Sequence, residues 1–269
     1  MSANAMLPES FRLDGQVAIV TGGGQGIGRA SALTLAAAGA AVVCVDLPSG
    51  SGAETVALIE KAGGRGRLVL ADVTRPEDVQ RLADEAFATF GGRIDILMNN
   101  AGGAVFRPFL DIDKAHFTQH FELNAASAFL VTQAVSRYML EAGRGSVLNV
   151  SSGAARFGIR GMASYCVAKA AVEQLTRAMA QELAPKLRVN CVSLGAVRTP
   201  AMDSFFVADP QAKRKMEERT PLGRLAEPQD IANAALFLSS PAAAYITGAV
   251  LHVDGGLQDT NMPSKLPDL

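Results

Sequence analysis

No run of about 18 apolar residues occurs in this chain, and its first ten residues, MSANAMLPES, hold neither a basic cluster nor an apolar core. A membrane span and a secretory leader are therefore not expected. Charge is balanced: 25 Lys and Arg stand against 26 Asp and Glu, for a net charge of -1. That leaves no electrostatic footprint for nucleic acid or an anionic membrane. Cysteine is scarce, and Cys44, Cys166 and Cys191 are widely spaced within apolar runs. They lack metal-ligand spacing and read as reduced core residues of a cytoplasmic protein. Linkers, repeats and low-complexity blocks are also missing, so residues 1–269 are expected to form a single domain, with tails at 1–12 and 258–269.

What is present suits a large core. Of 269 residues, 49% are hydrophobic and 19% charged, which describes an ordinary globular chain. Gln16 to Val20 is a buried-strand run leading into Thr21 to Gly28, TGGGQGIG, after which Ala30, Leu33 and Ala37 recur at helical spacing. A second strand, Ala41 to Val45, ends on Asp46. Strand, glycine turn, helix, strand and acid is the layout of a dinucleotide-binding unit. The alternation continues through strands at Arg67 to Ala71, Ile94 to Met98, Ser146 to Val150, Arg188 to Ser193 and Ala249 to Val253. The helices between them include one from Lys114 to Leu140 and one carrying Tyr165 to about Leu183. Near-continuous apolar strands alternating with helices imply an α/β fold, a parallel sheet covered on both faces.

The glycine turn lets the backbone approach a pyrophosphate, whose charge a helix N-terminus favours. Its spacing is Thr21-Gly22-x-x-x-Gly26-x-Gly28, not the commonest fingerprint, and alone it could be a simple turn. Asp46 sharpens it. A carboxylate there accepts hydrogen bonds from ribose hydroxyls and repels a 2′-phosphate, and Gln25 and Leu47 supply no cation to reverse that preference. NAD is expected over NADP.

Tyr165 and Lys169 stand at i and i+4 in an Ala-rich helix, with Ser152 at the end of the preceding strand. Lowering a tyrosine pKa from ~10 by about three units needs roughly 4 kcal/mol. A unit charge at about 4 Å contributes on the order of 4 kcal/mol at an effective dielectric of 20. One lysine is thus of the right size to make the phenol a usable base, although such a pair alone is common on helix surfaces.

Thr21 to Gly28, the turn Asn99-Asn100-Ala101-Gly102, Asn124, Ser152, Tyr165 and Lys169 together resemble the short-chain dehydrogenase/reductase family, over about residues 12 to 257. The resemblance implies a Rossmann fold, a doubly wound seven-stranded sheet in the order 3-2-1-4-5-6-7, and a homotetramer. It implies that Gly22, Gln25, Gly26, Ile27 and Gly28 hold the pyrophosphate, with Asp46 and Leu47 at the adenosine ribose and Asp72 and Val73 about the adenine. It further places Asn99, Ala101 and Gly102 along the cofactor, and Gly195, Val197 and Thr199 at the nicotinamide carboxamide. Tyr165 would be the base in alcohol oxidation and the acid in ketone reduction. Lys169 would tune it and bond the nicotinamide ribose, Ser152 would hold the reacting oxygen, and Asn124 would hold a proton-relay water. Two departures stand out: Leu194-Gly195 where many members have Pro-Gly, and Ala168 where Ser is frequent.

Substrate contacts are expected from loops at the strand C-termini and from a lid over residues 198–221. These offer Phe106, Phe157, Ile159, Met202, Phe205 and Phe206, which suits an apolar secondary alcohol or ketone, although such aromatics equally serve to pack a lid. Arg107, Arg156 and Arg160 could meet a carboxylate or phosphate, or be solvated. Within the family, Arg12-Leu13-Asp14-Gly15 and PQDIANAALFLSSPAA resemble bacterial 7α-hydroxysteroid dehydrogenases. Reductases of 3-oxoacyl groups, polyol dehydrogenases, and an NAD-binding regulator without turnover are the alternatives. His116 and His120 sit at i and i+4, but Phe117 replaces the Glu of a zinc protease and a third ligand is missing, so a surface or interface position is expected and no metal. Apolar residues on several sides of the Tyr165 helix, Val172, Leu175 and Met179 on one stripe and Val167 and Ala170 on others, suggest cover by neighbouring subunits.

Overall fold

A computed structural model describes residues 7–263; the outer parts of both expected tails, 1–6 and 264–269, lie outside the described residues. Seven parallel strands form one sheet in the order β3-β2-β1-β4-β5-β6-β7. They are β1 Val17–Thr21, β2 Ala41–Asp46, β3 Arg65–Leu70, β4 Ile96–Asn99, β5 Gly145–Ser152, β6 Leu187–Leu194 and β7 Val250–Val253. The expected topology holds.

The strand pattern explains why both faces are covered. In β1, Ala18 and Val20 face helices α1 Gly26–Ala37, α2 Gly52–Lys61 and α9 Pro228–Ser239, packing with Leu35, Ile59 and Ile231. Val17 and Ile19 face the other way, toward Leu82, Val135 and Met179. These last belong to α3 Pro76–Thr89, α5 Ser127–Ala142 and α6 Ala163–Leu183. A strand with both faces buried reads as continuously apolar. Between β1 and β4 the winding reverses, so the C-terminal ends of these strands diverge and leave a crevice.

Three local expectations need correction. The helix expected from Lys114 to Leu140 is broken into α4 Lys114–Phe121, a π-helical turn Glu122–Ala126, and α5, with the Ser127 amide bonding back five residues to the Glu122 carbonyl. A π turn adds a residue to the helical circuit. Phe121, three residues before Asn124, is 39% exposed while Asn124 is buried. His116 and His120, expected at the surface or a subunit interface, are buried within the chain itself. Val172 and Met179 of α6 pack against the sheet rather than forming an uncovered stripe; Val167 and Ala170 are the exposed members.

Residues 198–221 contain α7 Pro200–Ala208 and α8 Pro210–Glu218. Their base is pinned by Arg198 N to Ala226 O at 2.8 Å and Ala226 N to Ala196 O at 3.0 Å. Among the described residues, no helix is long and apolar enough to cross a membrane.

Candidate active site

The crevice at the strand C-termini is a cavity of ≈ 690 Å3, within the size range of ligand sites. One half is built by the glycine turn. Gly22 has φ 62° and Gly26 φ 51°, left-handed conformations that glycine adopts without penalty. At Gly28 the constraint is proximity: a Cβ would collide with the Gly22 carbonyl. Asn100 locks this turn from the next strand. Its Nδ2 donates to Thr21 O at 2.9 Å and Gly22 O at 3.1 Å, while Thr21 Oγ1 accepts from the Asn100 and Ala101 amides at 3.0 and 3.1 Å. The first turn of α1 has no side-chain cap, so its free amides face the cavity beside Gly26, Ile27 and Gly28. That is the donor set an anionic pyrophosphate requires.

Asp46 lies along the same wall. Its carboxylate accepts the Leu47 amide at 3.0 Å, and a Cβ on Gly24 or Gly50 would run into it. Arg29 is engaged elsewhere: it bonds the Gly24 carbonyl at 2.8 Å and pairs with Glu54 at 2.7 Å. Asp72 is fixed by its own loop, accepting from Thr74 N and Oγ1 at 2.9 and 2.7 Å. With Val73, Ala101, Gly102, Gly195, Val197 and Thr199 it lines the same cavity. A cradle of helix amides ending on a carboxylate that makes no ion pair among the described residues fits a dinucleotide.

Asn99 does not face this space. It is 6% exposed, and its Nδ2 donates to Thr132 Oγ1 at 2.8 Å and Asn149 Oδ1 at 2.9 Å. Its position is structural, and Asn100 is the cavity residue of the pair. The second Asn of the Asn-Asn-Ala-Gly turn was the available signal for it.

Ser152, Tyr165 and Lys169 converge at the other end of the cavity. Lys169 is 4% exposed; its Nζ donates to Val150 O at 2.9 Å and stands 5.6 Å from the centre of the Tyr165 ring. Burial lowers the Lys169 pKa from 10.5 to about 8. Burial also pushes the Tyr165 pKa up, partly offset by the Ser152 hydroxyl hydrogen-bonded to the phenol. The protein environment alone thus shifts both groups toward their neutral forms, because removing a charge from water costs more than these neighbours return; with a pKa of about 8 the lysine still holds its proton at pH 7. At 5.6 Å from the ring centre the lysine does not offset the burial of the phenol, so its expected tuning of Tyr165 requires a further positive charge nearby.

Asn124 is buried but does not line the cavity. Its Oδ1 accepts the Gly103 amide at 3.1 Å, and its Nδ2 donates to Gly103 O at 2.9 Å and His120 O at 3.0 Å. Both amide hydrogens are used in holding the loop after β4 and the end of α4, and Oδ1 keeps a second acceptor position.

The outer wall is apolar, formed by Phe106, Phe157, Ile159, Met162, Met202 and Phe205. Phe206 is not part of it and packs edge-on against Phe205, with ring centres 5.8 Å apart. Arg156 serves structure: it pairs with Asp254 at 2.8 Å, bonds Leu257 O at 2.8 Å, and lies over the Phe157 ring at 4.4 Å. Arg107 faces Asp113 at 3.7 Å. Gly195 is required where β6 leaves the sheet, since a Cβ there would approach the Asp254 backbone to 2.8 Å.

Part of the segment expected as a tail also reaches the site. Thr260, Asn261 and Met262 line the cavity. Asn261 is 4% exposed and donates to Thr220 Oγ1 at 2.9 Å, joining this segment to the end of the lid. A short polar stretch after the last strand carries no periodic pattern from which this could be read.

A family model described as Enoyl-(Acyl carrier protein) reductase matches residues 22–258. The chain is 43% identical to 7α-hydroxysteroid dehydrogenase of Escherichia coli strain K12 over 94% of this chain and 98% of the relative. A solved 7α-hydroxysteroid dehydrogenase complexed with NADH and 7-oxo glycochenodeoxycholic acid superposes with a TM-score of 0.89 at 42% identity, covering 94% of this chain and 99% of that one. A putative NAD(P)-dependent gluconate 5-dehydrogenase from Beutenbergia cavernae with bound NADP gives 0.86 at 36% identity, covering 92% and 98%.

Proposed function

Because this chain belongs to the short-chain dehydrogenase/reductase family, we propose that it is an NAD-dependent oxidoreductase interconverting an apolar secondary alcohol and its ketone. One observation carries the reading: Ser152, Tyr165 and Lys169 meet in the same cavity as the α1 amides and Asp46. Bound along that cradle, NAD would accept or return the hydride and, when oxidised, bring a positive charge toward the phenol. Tyr165 moves the alcohol proton. In ketone reduction the protonated phenol that burial favours is already the acid; in oxidation its deprotonation needs positive charge close by. Ser152 holds the reacting oxygen, and Lys169 keeps a cation beneath the ring and would reach the nicotinamide ribose. Asn124 orders Gly103 and remains the candidate holder of a relay water on the Lys169 side.

Asp46 supports NAD over NADP. Among the described residues it makes no ion pair, so a 2′-phosphate would meet an uncompensated carboxylate. The apolar outer wall, together with the bile-acid ligand of the solved relative, supports a hydroxysteroid-like substrate. The acyl-reductase description of the family model supports 3-oxoacyl thioesters as the second reading. Initial rates with NAD and NADP in parallel, over 7α-hydroxysteroids, polyols and 3-hydroxyacyl thioesters, test it. Steroid turnover with NAD is expected; thioester turnover alone would select the second reading, and turnover of none would leave a nucleotide-binding regulator.

The exposed apolar side chains of Phe117, Phe121, Phe129 and Val167 support a homotetramer that covers them. Light scattering at micromolar concentration should give four times the monomer mass; a monomer contradicts this.

A further inference from the structure

The proposed chemistry makes no use of His116 and His120, yet both are buried. His120 stands on α4, two residues before the π segment, and its ring lies between two backbone groups. Its Nδ1 is 2.9 Å from His116 O, and its Nε2 is 3.0 Å from the Val105 amide nitrogen. A carbonyl can only accept and an amide N–H can only donate, so the proton belongs on Nδ1 and Nε2 is the acceptor. Val105 lies between Gly103, which Asn124 clamps through both its N–H and its C=O, and Phe106, which lines the cavity. Val105 itself is 61% exposed and Phe106 45% exposed, so side-chain packing does little to fix this loop. Backbone hydrogen bonds must do so: Arg107 N to Gly161 O at 2.9 Å beyond Phe106, and before it, among the described residues, only those to Asn124 and His120.

We propose that His120 is a positioning residue for the substrate: its Nε2, by accepting the Val105 amide, fixes the loop that presents Phe106 to the cavity. The π turn and His120 then act as a pair. The turn aims Asn124 at Gly103, on the cofactor side of the loop, and His120 holds the substrate side two residues later. Loss of the Nε2 acceptor leaves the Val105 amide without its partner and frees Phe106 to leave the wall, while the cradle at α1 is untouched. Apparent substrate affinity falls and the chemical step proceeds once substrate is bound.

The substrate part rests on the dehydrogenase reading, and the loop part does not, so two measurements are combined. The terminal amide of Gln reaches where Nε2 stands, and that of Asn only as far as Nδ1. His120→Asn therefore keeps a donor toward His116 O but loses the Val105 acceptor; His120→Gln keeps the acceptor. Hydrogen exchange on the chain alone should show the Val105 amide exchanging on the order of tenfold faster in His120→Asn, with His120→Gln close to wild type. In steady-state assays with a 7α-hydroxysteroid, His120→Asn should raise KM about tenfold with kcat within about twofold, and NADH affinity by fluorescence titration should be unchanged. Equal effects of the two substitutions, unchanged exchange at Val105, or faster exchange spread evenly along α4 would overturn the proposal. A wild-type chain that oxidises no alcohol would refute the dehydrogenase reading, and the exchange data would still decide whether His120 holds the loop.

Discussion

Asp95 and Asp46 stand at opposite ends of one sheet and have opposite fates. Asp95, just before β4 at the N-terminal edge, is 5% exposed and saturated. It accepts Val17 N at 2.9 Å, Arg93 Nε at 2.6 Å and Arg144 Nε at 3.1 Å. Asp46, closing β2 at the C-terminal edge, takes one amide from its own neighbour and otherwise faces the cavity. Two cations drawn in from solvent repeat the contrast. Partial burial lowers the pKa of Arg188 at the lower edge, but its guanidinium meets the carbonyls of Leu238, Ile246, Ser239 and Ser240 and the hydroxyl of Ser146. Lys169 at the upper edge has one carbonyl. A buried polar group that is fully partnered stabilises the fold; one left partly open costs stability and can respond to a ligand.

The contrast can be broken from either end. The largest stability change is expected at the closed edge. Asp95→Ala strands the buried Val17 amide, while Arg93 and Arg144 can rehydrate, so unfolding free energy should fall by about 3 kcal/mol in urea titration. Its kcat/KM should stay near wild type in what folds; a drop in kcat/KM matching the stability loss would mean that the two edges are coupled. At the open edge the sign reverses. Lys169→Met should raise stability by about 2 kcal/mol at pH 7 while abolishing turnover. Between the folded pKa of about 8 and the unfolded 10.5, the unfolded chain binds more protons. The cost of burying the ammonium is therefore full below about pH 8 and gone above about pH 10.5. Melting curves of the two proteins should converge across that window, and a constant gap would show that the lysine charge is not the cause. The smallest effect is expected at Asp46: Asp46→Ala should lower kcat/KM with NAD about tenfold and narrow the preference over NADP. An unchanged NAD/NADP ratio would remove Asp46 from recognition.

The sequence carried the parallel sheet with both faces covered because buried parallel strands are continuous apolar runs alternating with helices; the strand order came only from the family resemblance. It carried Tyr165, Lys169 and Ser152 because an i, i+4 pair and a strand end are local facts. It did not carry the π turn: Ala125 and Ala128 keep an apolar stripe that reads equally well through an α-helix, and one extra residue in a turn leaves no compositional trace. His120 was misread for a related reason. Its partners are backbone groups of Val105 and His116, and backbone partners have no residue type to recognise. The segment around Asn261 depends on where the chain goes after its last strand, which no periodicity encodes. Charge balance was legible as a list but not as an environment, so the lifting of the Tyr165 pKa by burial, against the expected lowering by Lys169, appears only in three dimensions.

The central claim is that Tyr165 moves the proton in a cavity whose cofactor cradle is built independently of it. Tyr165→Phe removes one hydroxyl and leaves the ring, Lys169 and the α1 amides in place. NADH titration followed by fluorescence, paired with turnover of a 7α-hydroxysteroid by the same preparation, separates the two functions. The account predicts NADH affinity within about twofold of wild type and turnover lower by about 10³-fold or more; a variant that binds NADH and still turns over within tenfold of wild type would contradict it.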